Sequence, residues 1–271
     1  MTYPLTAIIS DLHGNVPALE KALADARERG VERYVCLGDV VGYGAQPREC
    51  LERVMELCRP APEQAEVDAD GELDLSVGLC LRGNHEEALL GSANDFNPRA
   101  RAAIDWTREE LNRGDRASKF ALWDYLDALK PSRHEGDVMF AHGSPRDPVR
   151  EYMMPRDIED EEKLTSCFEH MSGNICFVGH SHVPAIYRDD RRIYLPEGSS
   201  SPIDLDGHRC IVNVGSVGQP RDGDARLSYA VFDGRRVEFV RLDYDHERAA
   251  AEIRAVPELP DHLADRLAVG R

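Results

Sequence analysis

Five short apolar runs in this chain each stop on residues that can hold a metal ion or move a proton. Residues 6–10 run into Asp11 and His13, 34–37 into Asp39, and 77–81 into Asn84 and His85. Residues 138–141 stop at His142, and 175–178 at His180 and His182. Such runs read as strands, and strands ending on one edge of an α/β sheet bring the loops that follow them together. Half of the ten histidines fall at these ends. The others (His134, His170, His208, His246 and His262) lie among charged or turn-forming residues. One such histidine is more often a capped turn or a satisfied core ring than a ligand. The same ordinary reading at five strand ends at once needs several coincidences.

Asp, Asn and His donors without cysteine suit manganese, iron or zinc better than a thiolate-held structural zinc. Two ions about 3.5–4 Å apart need a shared carboxylate, and together they clamp the attacking and leaving oxygens of an in-line displacement. Asp39, the lone carboxylate at its strand end, is the natural bridge. Asp11 and His13 can reach one ion from a single turn. Asn84 would offer a neutral oxygen, limiting negative charge where an anion must approach.

The elements that must position these residues alternate through the first half. After the strand at 6–10, Leu19, Ala22, Leu23 and Ala26 recur at helical spacing up to Gly30. The strand at 34–37 and a helix over 47–58 follow. Continuous apolar strands with helical crossovers imply a parallel sheet buried on both faces. Residues 59–75 are acidic and proline-bearing and read as an exposed loop. The stretch 97–129 looks helical twice over, broken near Gly114-Asp115, as a cap or insertion beside the sheet. A charged helix is expected at 156–171. Beyond it, strands at 185–188 and 192–195 flank an Asp189-Asp190-Arg191 turn. Strands at 211–214, 229–232 and 236–242 follow, so the second half is mostly antiparallel. No repeat or linker divides the halves, so residues 1–271 read as a single mixed α/β domain.

Composition narrows the class. The 271 residues are 42% hydrophobic, enough to bury a sizeable core and to exclude a disordered chain. The net charge of −17 repels phosphate backbones and anionic lipid at long range, so no docking surface for long nucleic acid or a membrane is expected. It does not exclude a small anionic substrate, because a metal cluster reverses the field inside one cleft. Seven cysteines with no C-x-x-C pair suit a reducing cytosol. The opening MTYPLTAIISD lacks the charged start of a secretory leader, and no apolar run approaches the roughly 18 residues of a membrane helix. A cytoplasmic protein is expected.

The ordered series Asp11-x-His13, Gly38-Asp39, Gly83-Asn84-His85-Glu86, His142-Gly143 and Gly179-His180-x-His182 resembles the calcineurin-like metallophosphoesterase superfamily. The later segment from Asn213 to Pro220, NVGSVGQP, is similar to one in its small bacterial phosphodiesterase branch. The resemblance implies a four-layer α/β/β/α sandwich around two divalent metal ions, manganese first, with iron, zinc or nickel as alternatives. It implies that Asp11, His13 and His182 hold one ion, that Asn84, His142 and His180 hold the other, and that Asp39 bridges them. A metal-bridging water would attack phosphorus directly, and His85 would be the catalytic histidine, protonating the leaving oxygen or stabilising phosphate charge.

The chain departs from the protein Ser/Thr phosphatases of that superfamily, which carry an aspartate and an arginine shortly after the bridging aspartate. Gly42 and Tyr43 stand there, so the carboxylate partner of the catalytic histidine and the phosphate-clamping arginine are both missing. Tyr43 could stack on a base or aryl leaving group, or simply pack its loop. Asn15 could donate to a phosphate oxygen, or cap a helix. Arg221 could supply the missing positive charge, or be a solvated surface arginine. The expected function is a metallophosphoesterase acting on a small phosphodiester, nucleotide or phosphomonoester, with diesters favoured. A protein Ser/Thr phosphatase, a symmetrical dinucleoside-polyphosphate hydrolase and a non-enzymatic metal-binding scaffold are the alternatives. No phosphate-binding G-x-x-x-x-G-K-[ST] loop, G-x-S-x-G elbow or H-E-x-x-H pair supports a kinase, serine hydrolase or zincin.

Overall fold

The computed structural model describes residues 3–61, 74–94 and 96–271. In chain order the elements are β1 (Thr6–Ile9), α1 (Val16–Glu28), β2 (Arg33–Cys36), α2 (Pro47–Leu57), β3 (Cys58–Pro60), β4 (Gly78–Cys80), α3 (Asn84–Leu90), α4 (Pro98–Leu111) and α5 (Arg116–Ala128). There follow β5 (Ser132–Glu135), β6 (Val138–Ala141), α6 (Glu161–His170), β7 (Ile175–Val178), β8 (Ala185–Arg188), β9 (Ile193–Tyr194) and β10 (Ile203–Asp204). The chain closes with β11 (Cys210–Asn213), β12 (Leu227–Phe232), β13 (Arg236–Leu242), α7 (His246–Arg254) and α8 (His262–Asp265).

The strands form two sheets, ordered β10-β13-β12-β1-β2-β4-β3 and β5-β6-β7-β11-β8-β9. In the first, β1, β2, β4 and β3 run parallel and β12 joins β1 antiparallel. In the second, β6, β7 and β11 run parallel inside antiparallel edges. Both sheets are buried on both faces, and the two-residue side-chain period shows it. Ala7, Ile9, Tyr34 and Cys36 pack under α1, α2, α4 and α5, while Ile8, Val35 and Leu37 point between the sheets. In the second sheet Phe140 and Phe177 meet them there, and Met139, Cys176 and Val178 turn outward onto α6. The result is the expected α/β/β/α sandwich.

Arg33, at the start of β2, and Glu135, at the end of β5, tie the sheets together. Both are buried, and the guanidinium donates to the carboxylate twice, at 2.8 Å each. Arg33 Nε also donates to the Val77 carbonyl at 2.9 Å.

Helix boundaries follow cap chemistry. Asn15, Asn97, Asp115 and Asp160 accept backbone N–H bonds at the starts of α1, α4, α5 and α6. Asp160 therefore cuts the helix expected at 156–171 into a 3-10 turn, Pro155–Glu159, and α6. The loop expected at 59–75 begins two residues late, because 58–60 pair with β4 as an edge strand, with Pro60 at its last position. Residues 62–73 of that loop lie outside the described residues. Gly114, at φ +88°, makes the break between α4 and α5. Both helices pack into the helical layer over the first sheet.

Candidate metal centre

The loops after β1, β2, β4, β6 and β7 meet at one edge of the sandwich, three from the first sheet and two from the second. They bring together Asp11, His13, Asp39, Asn84, His85, His142, His180 and His182. Tight turning delivers so many side chains from so few residues: Asp11, His13, Asp39, His180 and His182 all have φ between 48° and 63°. That left-handed conformation is strained for residues with a Cβ and clusters at functional sites. Gly179 is required by the crowding, since a Cβ there would collide with Ser10 Oγ and Asp11 Oδ2.

Two donor groups result. Asp11 Oδ1 lies 3.1 Å from His182 Nε2, and His182 Nε2 lies 3.2 Å from His13 Nε2. His142 Nε2 lies 3.0 Å from Asn84 Oδ1 and 3.1 Å from His180 Nδ1. Asp39 Oδ2 stands between them, 3.4 Å from His142 Nε2 and 3.8 Å from His13 Nε2. The arrangement suits a metal because the remaining atoms of several donors are held from behind. His13 Nδ1 meets the Val41 carbonyl at 3.2 Å, His182 Nδ1 the Gln219 carbonyl at 2.5 Å, and His180 Nε2 the Arg150 carbonyl at 3.0 Å. Asp39 Oδ1 accepts the His85 N–H at 2.9 Å, and Asp11 Oδ2 the His180 N–H at 3.0 Å. Asp11 Oδ1 is buried with no hydrogen-bond partner. Outer contacts of this kind fix ligand orientation and tautomer.

Without a cation, burial opposes ionisation of Asp39, but the charges of His142 and His85 hold its carboxyl well below the usual range. Burial likewise opposes the charged form of His142, yet Asp39 carries its pKa up to about 9. Burial, reinforced by His142, pushes His180 down to about 3. A neutral imidazole and an ionised carboxylate are the forms that bind a metal.

His85 is oriented by packing. Its ring meets Tyr43 edge-to-face at 4.5 Å, Phe96 at 5.1 Å and His13 at 4.8 Å between centroids. Its Nδ1 is buried without a partner, and its Nε2 lies 3.9 Å from Asp39 Oδ2. Gly42, at φ +87°, presses its backbone against this ring, and a Cβ there would strike Nδ1. A side chain at that position would have to displace the ring.

A cavity of about 240 Å³ opens on the centre, lined among others by Tyr43, Asn84, His85, Phe96, Tyr152, His180 and Arg221. Arg221 sits over the Tyr43 ring at 5.8 Å and donates to Gln219 Oε1 at 2.9 Å. Asn15 is placed differently. Its Oδ1 caps α1, and its Nδ2 donates to the Gly218 carbonyl at 2.8 Å and to the Tyr244 hydroxyl at 3.2 Å. Its amide is spent on these bonds.

Several contributors escaped the sequence reading. Glu86 is fully buried and accepts four backbone N–H bonds, from Gly83, Asp39, Val40 and Val41. Its place three residues after Gly83 is the reach-back half of a capping box, a signal available in advance. Tyr152 stacks on His180 at 3.7 Å, and Asn213 Nδ2 donates to the Gly179 carbonyl at 2.6 Å and to Ser181 Oγ at 2.9 Å. The 216–221 loop grips both sides of the centre. Ser216 Oγ and the Gly218 N–H bind the Asp11 carbonyl, while Gln219 holds His182.

The comparisons agree with this fold. Residues 5–236 match the model of the calcineurin-like phosphoesterase superfamily domain. An uncharacterized protein of Methanocaldococcus jannaschii is 34% identical over 279 residues, covering both chains in full. A metallophosphoesterase structure from Sphaerobacter thermophilus is 35% identical, with 99% of each chain covered and a TM-score of 0.78. A hypothetical protein from Pyrococcus horikoshii, 20% identical over 98% of each chain, shares the fold at a TM-score of 0.70. With sandwich and family model in agreement over most of its length, the chain belongs to the calcineurin-like phosphoesterase superfamily.

Proposed function

We propose that this protein hydrolyses a small phosphodiester, nucleotide or phosphomonoester, with diesters preferred, using two divalent ions of which manganese is the first choice. The observation that carries the reading is Asp39 Oδ2, standing between the Asp11–His13–His182 group and the Asn84–His142–His180 group. Two bound cations would supply an activated water and neutralise the phosphate oxygens.

The chain's own residues do the rest. Asp39 sets the separation of the two donor groups, and neutral Asn84 keeps that side of the cavity from repelling an anion. His85 presents its ring to the leaving-group oxygen as hydrogen-bond or proton donor. Tyr43 and Phe96 exclude water around His85 and offer flat apolar faces to a base or aryl group. Arg221 brings positive charge to the same wall. Gly42 and Tyr43 disfavour the protein Ser/Thr phosphatase reading, since the carboxylate and arginine of that arrangement are absent from these positions. Seven free, buried cysteines support a reducing cytoplasm, and no helix among the described residues is long and apolar enough to cross a membrane.

The test is a matrix on chelated and reconstituted protein, crossing manganese, nickel, zinc, magnesium and iron with an aryl monoester, an aryl diester, cyclic nucleotides and diadenosine tetraphosphate. Metal-dependent diester turnover well above monoester turnover supports the reading. No turnover with metal bound would move the weight to a scaffold.

A further inference from the structure

The wall of the cavity beside the metal centre has two unlike sources. The loops after β7 and β11 bring His180, His182 and Arg221 to it. The corner between α3 and α4 brings Ala88, Phe96 and Ala100. His85 belongs with this second set. It is the second residue of α3, and Ala88, three residues on, shares its helix face. Phe96 meets the His85 ring edge-to-face with centroids 5.1 Å apart. Ala88 and Ala100 are both buried, so nothing larger than a methyl group stands on the wall at either place.

The corner is held in shape from α4. Arg108 Nη2 donates to the Ala88 and Leu89 carbonyls at 3.1 and 3.3 Å, closing the end of α3. Arg101 Nη2 donates to Asn94 Oδ1 at 2.9 Å, and Asn97 Oδ1 accepts the Arg99 and Ala100 N–H groups at 3.1 Å each. Two charged residues of the same wall, Glu87 and Arg150, are joined to each other at 2.6 Å. A recess pre-formed in this way needs little ordering when it is filled. The whole cavity, at about 240 Å³, falls below the roughly 300–1,000 Å³ of sites for drug-sized ligands. It has room for a phosphoryl group and one ring system.

Resting on the phosphoesterase reading, we infer that the α3–α4 corner is a leaving-group pocket, which takes a single aromatic or heteroaromatic ring carried on the ester oxygen that departs beside His85. Ala100 sets the depth of the pocket, and Phe96 supplies its aromatic wall. An ester with a short alkyl group on that oxygen leaves the recess to water and binds less tightly.

The test reads binding to the manganese-loaded full chain by calorimetry. The probes are benzylphosphonate and ethylphosphonate, in which a methylene replaces the bridging oxygen, so neither can be hydrolysed there. Wild type should prefer benzylphosphonate. Ala100→Leu, which fills the recess, should lower the ratio of the two affinities about tenfold, as expected for expelling one ring from an apolar surface. Phe96→Leu, apolar but without a ring, should lower it less, and the nearly isosteric Ala100→Ser should keep it. Circular dichroism and manganese content show that each variant is folded and loaded. In turnover of methyl para-nitrophenyl phosphate, whose ring departs, Ala100→Leu should lower kcat/KM by a similar factor. An unchanged ratio in folded Ala100→Leu, or no preference in wild type, overturns the pocket. An unchanged kcat/KM beside a lowered ratio overturns its assignment to the departing group. No turnover by wild type, with the binding ratios as expected, counts against the phosphoesterase reading and supports the pocket.

Discussion

Glu86 lies directly behind Asp39. One carboxylate oxygen accepts the Asp39 N–H at 2.8 Å and the Gly83 N–H at 2.9 Å, and the other accepts the Val40 N–H at 2.8 Å. The strained Asp39 turn is thus held by a group that never faces the cavity. Glu86→Gln replaces one acceptor oxygen by an NH₂ that confronts backbone donors. We expect metal affinity to fall about 10–100-fold, the usual cost of a lost outer contact. Metal titration of the purified variant checks it, and wild-type affinity would remove Glu86 from the support of the centre.

Gly42→Ala places a methyl group against His85 Nδ1 at a backbone conformation that suits glycine. The ring must shift while the ligands stay. Turnover should fall roughly 100-fold, in line with losing a positioned acid, while bound metal is unchanged. Elemental analysis beside kcat separates this outcome from loss of the metals.

The Glu151 carboxylate accepts from Arg146 Nε at 2.9 Å, from Arg146 Nη2 and from Ser144 Oγ at 2.6 Å. The Arg146 hydrogen bond, against some desolvation and helped by Ser144, holds its pKa down to about 2. The unfolded value is about 4.3, so this stabilisation is complete above that pH and is lost as pH falls toward 2. After allowance for solvent screening it amounts to roughly 1–2 kcal/mol. Denaturant melts between pH 6 and pH 3 should show Glu151→Gln less stable at the upper end and converging with wild type at the lower.

The buried pair of Arg33 and Glu135 gives a stability test far from the chemistry. Removing Arg33 alone with Arg33→Met leaves the buried Glu135 carboxylate with only the longer contact to Arg133 Nε at 3.5 Å, and should cost about 3 kcal/mol. Joining it to Glu135→Leu removes both charges and should restore most of the loss. If the double substitution is as unstable as the single one, packing, or the loss of Arg133's contact, outweighs the charge left by Arg33.

The convergence of the candidate ligands was legible because strand ends are marked twice, by the close of an apolar run and by the change to Asp, Asn or His. The sandwich itself was legible only through the resemblance, since alternation within 34–37 or 175–178 is hidden when both faces are buried. Glu86, Tyr152 and Asn213 were missed for a common reason. They act by supporting backbone or stacking on a ligand, and such roles depend on what the fold brings near. The helix expected over 156–171 was misjudged because Asp160 reads as one more charge in an acidic run until its side chain is seen capping Lys163 at 3.0 Å.

The centre draws its ligands from both sheets, and the 216–221 loop fastens Asp11 on one side to His182 on the other. The sandwich therefore acts as a caliper, in which the thickness of the inner core sets the gap between the two halves of the donor set. Phe140, Phe177 and Phe232, in ring contact at 5.8 and 5.0 Å, are its spacers. Trimming any one lets the sheets settle or splay, and the change arrives at the ligands as a change of bite.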